Sequence, residues 1–149
     1  MVRRSIGSDG PQRLAAIQFF DALTEAERRM VARLVDELDA DAGDELMREG
    51  DFGYEVVIVE DGAAKVSQGG ETINTVGPGD VLGELAVLDA GGTRTATVVA
   101  TQPLRGIVLT SHFMHHVREH LPAVAEAIDA AAAEHHDRDR RRAAGEPAG

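Results

Sequence analysis

The 149-residue chain has no cysteine and no tryptophan, and only one tyrosine and four phenylalanines. Without cysteine, disulfides and thiolate chemistry are excluded. No apolar run approaches the ~20 residues that a membrane-spanning helix needs. The N-terminal arginines are not followed by the apolar stretch of a secretory signal. A cytoplasmic protein with no membrane contact is therefore expected. Histidine is missing from every segment that reads as a strand: His112, His115, His116, His120, His135 and His136 all fall in the C-terminal helical stretch. A metal-dependent β-roll enzyme would lack its ligands, and neither a Ser-His-Asp nor a Cys-His site has supporting context. His112, His116 and His120 share a helix face but read as solvated or partly buried side chains, so no metal and no resident cofactor is expected. Positive charge is also scarce. Residues 14–137 hold 8 basic and 23 acidic residues within a chain of net charge −11. Such a body repels nucleic acid and anionic membranes, and a phosphate would bind only in a locally positive pocket.

The length suits one domain with a core of its own. Residues 1–13 read as a flexible arm, 14–142 as the domain and 143–149 as a disordered tail. Leu14, Ile17 and Phe19 or Phe20 recur at helical spacing. Thr24-Glu25-Ala26-Glu27 has the form of a capping box before a helix with Met30, Val31, Leu34 and Val35 on its apolar face. From residue 36 short apolar runs alternate with Gly and Asp turns. The runs 54–60, 63–68, 71–76, 94–101 and 104–110 suggest antiparallel strands in a roll, sandwich or barrel. In 54–60 both parities are apolar over part of the run, as in a strand covered on both faces. Thr110 or Ser111 can cap a helix to about His120. Leu121-Pro122 marks a break, and an alanine-rich helix follows.

The remaining chemistry concentrates in residues 77–97, where five glycines fall between Gly77 and Gly92. A glycine-rich turn entering a short helix at Glu84–Leu88 exposes backbone N–H groups that suit an anion. If 94–101 is a strand, Arg94 shares a small, apolar, inward face with Ala96, Val98 and Ala100. A guanidinium there needs a partner. It either offers parallel donors to a phosphate or pairs structurally with Glu84, Asp80 or Asp89. Glu84 would repel a lone phosphate. A ligand carrying both a phosphate and a hydroxyl removes that conflict: Glu84 accepts from the hydroxyl, while Arg94 and the N–H groups near Leu85 and Ala86 hold the phosphate. A cyclic ribonucleotide has that pairing, and Gly83 lets its sugar approach.

Gly83-Glu84-Leu85-Ala86, followed after seven residues by Arg94-Thr95-Ala96, closely resembles the phosphate-binding cassette of cyclic nucleotide-binding domains, in the longer-loop form of the bacterial catabolite activator type. Glu49-Gly50-Asp51, Glu60–Val66, Gly77-Pro78-Gly79-Asp80, and Phe19-Phe20 with Leu23 extend the resemblance over about residues 14–135. It implies a mainly β fold: an antiparallel, jelly-roll-like β-roll with N-terminal helices, a short cassette helix and two C-terminal helices. It also implies that Glu84 takes the ribose 2′-hydroxyl and Arg94 the exocyclic phosphate oxygens. Backbone N–H groups of Ala86 and Thr95 would complete the phosphate shell, and Gly83 would touch the ribose. The base would meet the roll and the last helix, where Ala132, His135 and His136 are the candidates. The ligand expected is cAMP rather than cGMP, bound by a non-catalytic, stand-alone sensor. Its C-terminal helix would shift and signal to a separate effector protein. The alternative is a ligand-free interaction or dimerisation module of the same fold. The final helix either packs on the roll or forms a homodimer seam.

Overall fold

The computed structural model describes residues 1–53, 55–83 and 92–143. The short helix expected at Glu84–Leu88 and most of the 143–149 tail lie outside them. Among the described residues, nine strands form two antiparallel sheets. They are β1 (Val2–Ser5), β2 (Asp36–Ala40), β3 (Glu45–Met47), β4 (Val56–Asp61), β5 (Ala64–Gln68), β6 (Glu71–Val76), β7 (Val81–Leu82), β8 (Thr97–Ala100) and β9 (Leu104–Leu109). One sheet has the order β1-β2-β9-β4-β7 and the other β3-β8-β5-β6. Helices α1 (Gly10–Ala15) and α2 (Glu25–Ala32) precede the roll, with a 3-10 turn at Gln18–Phe20 between them; α3 (Ser111–His120) and α4 (Pro122–Ala143) follow it. The result is the mainly β roll with flanking helices expected from the sequence.

Strand β4 shows why two apolar parities were needed. Val57 and Val59 point between the sheets, beside Leu38, Ala64, Val98 and Val108. Val56 and Ile58 point the other way, into a second core with Leu14, Phe20, Phe113 and Ile128 from the helices. β9 divides likewise: Leu104 and Val108 join the roll core, and Ile107 and Leu109 the helical one. The five-stranded sheet is thus the shared wall of both cores.

Local signals set the helix ends. Thr24 Oγ1 accepts from Glu27 N–H at 3.1 Å while Glu27 Oε1 accepts from Thr24 N–H at 2.8 Å, so the capping box is closed both ways. Thr110 Oγ1 accepts from Phe113 N–H at 3.0 Å and starts α3. Pro122 is the first residue of α4, where a missing N–H costs nothing. The expected helix through Leu14 and Phe20 is split instead, as α1 ends at Ala15 and only the 3-10 turn covers Phe19 and Phe20.

Residues 1–13, expected as a flexible arm, carry β1 and most of α1. Val2 pairs with Asp39, Arg3 with Leu38, Arg4 with Glu37 and Ser5 with Asp36. Arginine binds this segment down. Arg4 reaches both Glu37 and Asp39, and Arg13 bridges Glu37 at 2.8 Å and Glu60 at 2.7 Å. Among the described residues no helix is long and apolar enough to cross a membrane.

Candidate functional site

Arg94 precedes β8 and is fixed first by its backbone. Its N–H donates to Asp51 O at 2.7 Å, and its carbonyl accepts from Gly50 N–H at 2.9 Å. Thr93 beside it forms an isolated antiparallel bridge with Phe52. The 50–53 loop is therefore laced to the segment that carries Arg94. The expected strand begins only at Thr97, but the alternation runs on: Arg94 and Ala96 are half-buried, Thr95 is exposed, and Val98 and Ala100 are buried.

Two glycines flank the Arg94 side chain. A Cβ built on Gly53 would overlap Arg94 Nε. A Cβ built on Gly83 would lie 2.5 Å from Arg94 Nη1, 2.7 Å from Glu55 O and 3.2 Å from Met47 Cε. Gly83 also has φ +78°, in the left-handed region that other residues seldom enter. Between these two backbones, Arg94 Nη2 donates to Glu55 O at 2.9 Å. Glycine at position 83 is thus required by the approach of the guanidinium and of a carbonyl, besides whatever ligand comes near.

Arg94 lines a cleft of about 450 Å³ together with Met47, Phe52, Gly53, Glu55 and Ser111 among others. The volume fits a small ligand. Two arginines, Arg48 and Arg94, belong to the lining, and the planar donor group of an arginine suits a phosphate. Ser111, the first residue of α3, puts a helix start at the same cleft.

Of the residues singled out from sequence, the structure brings Gly83 and Arg94 together. Thr95 lies next to Arg94, and its carbonyl accepts from Gln68 Nε2 at 2.9 Å. Glu84, Leu85 and Ala86 lie outside the described residues. Ala132 is fully buried in the helical core, and the His135 ring lies 6.0 Å from that of Phe19. Both belong, in this conformation, to the packing of α4 against the helices, and His136 follows them on α4. Gly53 and Glu55 were missed. Glu55 meets Arg94 through its backbone carbonyl, which any residue type would supply, so only the glycine of the Asp51-Phe52-Gly53 turn carried a signal.

Fold and site together define a β-roll domain with an arginine at the wall of a small cleft. The chain belongs to the cyclic nucleotide-binding domain family, whose model matches residues 37–120. Over 84 residues it is 40% identical to a cAMP-dependent protein kinase regulatory subunit of Yarrowia lipolytica, covering 56% of this chain and 22% of that protein. Over 95 residues it is 35% identical to a cGMP-dependent protein kinase of Toxoplasma gondii, covering 64% of this chain and 10% of that protein. The aligned stretch is therefore only about a tenth to a fifth of these curated relatives. A solved cyclic nucleotide-binding domain from Methylobacillus flagellatus superposes with a TM-score of 0.80 at 20% identity, covering 92% of this chain and 79% of that one. At that identity the likeness speaks for the fold.

Proposed function

We propose that this chain is a non-catalytic cyclic nucleotide sensor, that it takes cAMP in preference to cGMP, and that it signals through its C-terminal helix. The observation that carries the reading is Arg94, threaded between Gly53 and Gly83 with its guanidinium at a cleft of nucleotide size. The guanidinium binds the cyclic phosphate, and the backbone N–H groups of Ala86 and Thr95 complete its shell. Glu84 accepts from the ribose 2′-hydroxyl, and Leu85 and Ala96 flank these contacts beside Gly83. The preference for cAMP is supported by the Y. lipolytica relative, a cAMP-dependent regulatory subunit. In this proposal α4 moves to bring Ala132, His135 or His136 to the base. The moved helix alters contact with a separate effector protein or a second copy of the chain, in the cytoplasm.

Thermal unfolding with cAMP, cGMP and 2′-deoxy-cAMP tests this. Ligand at a hundred times its dissociation constant adds about 2.7 kcal/mol to stability. The expected order of stabilisation at equal concentration is cAMP, then cGMP, with the 2′-deoxy analogue weaker than cAMP through the loss of the Glu84 contact. No shift with any of the three overturns the sensor reading and leaves an interaction module of the same fold.

A further inference from the structure

The described residues that line the cleft do not form a positive site. Arg48 and Arg94 stand against Glu45, Asp51 and Glu55, so the lining is one charge acidic. Arg48 is already engaged, with Nε 2.7 Å from Glu45 Oε1. This is a poor setting for a phosphate, and Glu55 is part of it. The residue whose carbonyl holds Arg94 also carries a carboxylate into the same neighbourhood.

That carboxylate is met from an unexpected place. Arg3 Nη2 lies 2.7 Å from Glu55 Oε1. Arg3 is the second residue of β1, the edge strand paired on β2 and tied down by the neighbouring Arg4 to Glu37 and Asp39. Its guanidinium is presented by a sheet rather than by a loose terminus. With Arg3 counted, the charges of these described residues balance. Glu55 thus joins two arginines: its carbonyl accepts from Arg94 and its carboxylate pairs with Arg3.

We propose that Arg3, on the N-terminal strand, is a positioning and charge-balancing residue of the ligand site. It neutralises Glu55 beside Arg94 and so sets the affinity for an anionic ligand. The inference rests on the reading of the Arg94 cleft as a cyclic nucleotide site and adds a control to it. Docking of β1 pairs the Glu55 carboxylate and favours phosphate beside Arg94, and displacement of β1 leaves that carboxylate unmatched and opposes it. Reciprocally, bound nucleotide favours the docked strand by the same factor.

The test is calorimetric titration of the whole chain with cAMP, comparing wild type, Arg3→Gln, Glu55→Gln, the double variant and Arg3→Lys. Arg3→Gln leaves Glu55 unmatched and weakens binding roughly two- to fivefold, the scale of an exposed ion pair. Glu55→Gln keeps the carbonyl that holds Arg94 and frees the Arg3 charge, so it binds more tightly than wild type. The double variant regains most of the affinity lost in Arg3→Gln, and Arg3→Lys retains the charge and most of the binding. The Arg3→Gln defect shrinks as salt is raised, because exposed charges are screened. Unfolding midpoints of all variants, taken without ligand, show that each is folded.

Arg3→Gln binding as tightly as wild type at low salt overturns the proposal. So does a double variant as weak as Arg3→Gln, since Arg3 would then act through β1 alone and not through Glu55. A wild-type chain that takes up neither cAMP nor cGMP overturns the site reading itself, which is a different result from either.

Discussion

An arginine side chain has four rotatable bonds, and holding it in one place costs conformational entropy. Gly53 and Gly83 lower that cost for Arg94 by making a slot that leaves the chain little else to do. The two glycines act differently, and the difference can be measured. Gly53 has an ordinary negative-side φ, so an alanine there suffers first from the overlap with the Arg94 side chain. Gly53→Ala is expected to push Arg94 out of the slot and weaken cAMP binding at least tenfold, with a small change in unfolding midpoint. Gly83→Ala meets Glu55 O and Met47 as well, and its φ of +78° adds about 1–2 kcal/mol of backbone strain. Its unfolding midpoint should drop by several degrees before any ligand is added. Among the described residues Arg94→Ala removes the hydrogen bond to the Glu55 carbonyl, a contact worth about 1 kcal/mol, and it should abolish the cAMP-induced stabilisation while the domain stays folded. Unfolding of the ligand-free Arg94→Ala protein would show that the guanidinium is mainly structural.

Strand β2 has the sequence Asp-Glu-Leu-Asp-Ala, with three acids in five residues, yet it lies inside the five-stranded sheet. Leu38 and Ala40 enter the roll core, and Glu37 and Asp39 meet arginines from β1, α1 and β9. None of this was legible in the sequence, because the arginines that make the strand tolerable are distant along the chain. β4 and the α2 capping box were legible because their causes are local: an apolar run of both parities, and a hydroxyl three residues before a glutamate. The same contrast holds at the site. Gly83 and Arg94 stand in a dense local pattern, while Glu55 reaches Arg94 across 39 residues. The network also sets a pH dependence. The hydrogen bond from Arg4, aided by Arg13 and opposed by burial, holds the Glu37 carboxyl below its ordinary value of 4.5. Arg105 likewise lowers Asp39. Both groups have depressed folded-state values, so their stabilisation is complete above the ordinary carboxylate range and is lost as pH falls through the depressed values. Urea midpoints should stay nearly level for these groups from pH 7 to 5 and fall below about 4.5. Glu37→Gln should be less stable at pH 7 and show a shallower acid decline. Arg13→Ala takes the arginine from Glu60 and leaves Glu37 with Arg4 alone, and should cost about 1–3 kcal/mol at neutral pH.

The five-stranded sheet separates two cores, and the proposed signal has to cross from one to the other. The cleft lies by the roll at β3 and the residues before β4, while α4 packs in the helical core through Val124, Ile128 and Ala132. Helix α3 connects them. Its first residue, Ser111, lines the cleft, and its Arg118 pairs with Asp129 of α4 at 3.0 Å. His135 farther along α4 lies against Phe19 of the N-terminal segment. A ligand moves α4 only if it binds the two positions of the helix with different affinity. Saturating cAMP should therefore change amide-exchange protection along residues 122–143, while the outer strand β6, remote from α3, stays as it was. Ala132 gives the complementary handle. It is 0% exposed in the helical core, so Ala132→Leu overfills the seam, costs roughly 1–3 kcal/mol and drives α4 from its present seat. If α4 moves to the base as proposed, this variant alters cAMP affinity although Ala132 now sits in the helical core and outside the cleft lining. Affinity unchanged beside a lowered unfolding midpoint would show that the helix reports on the fold and not on the ligand.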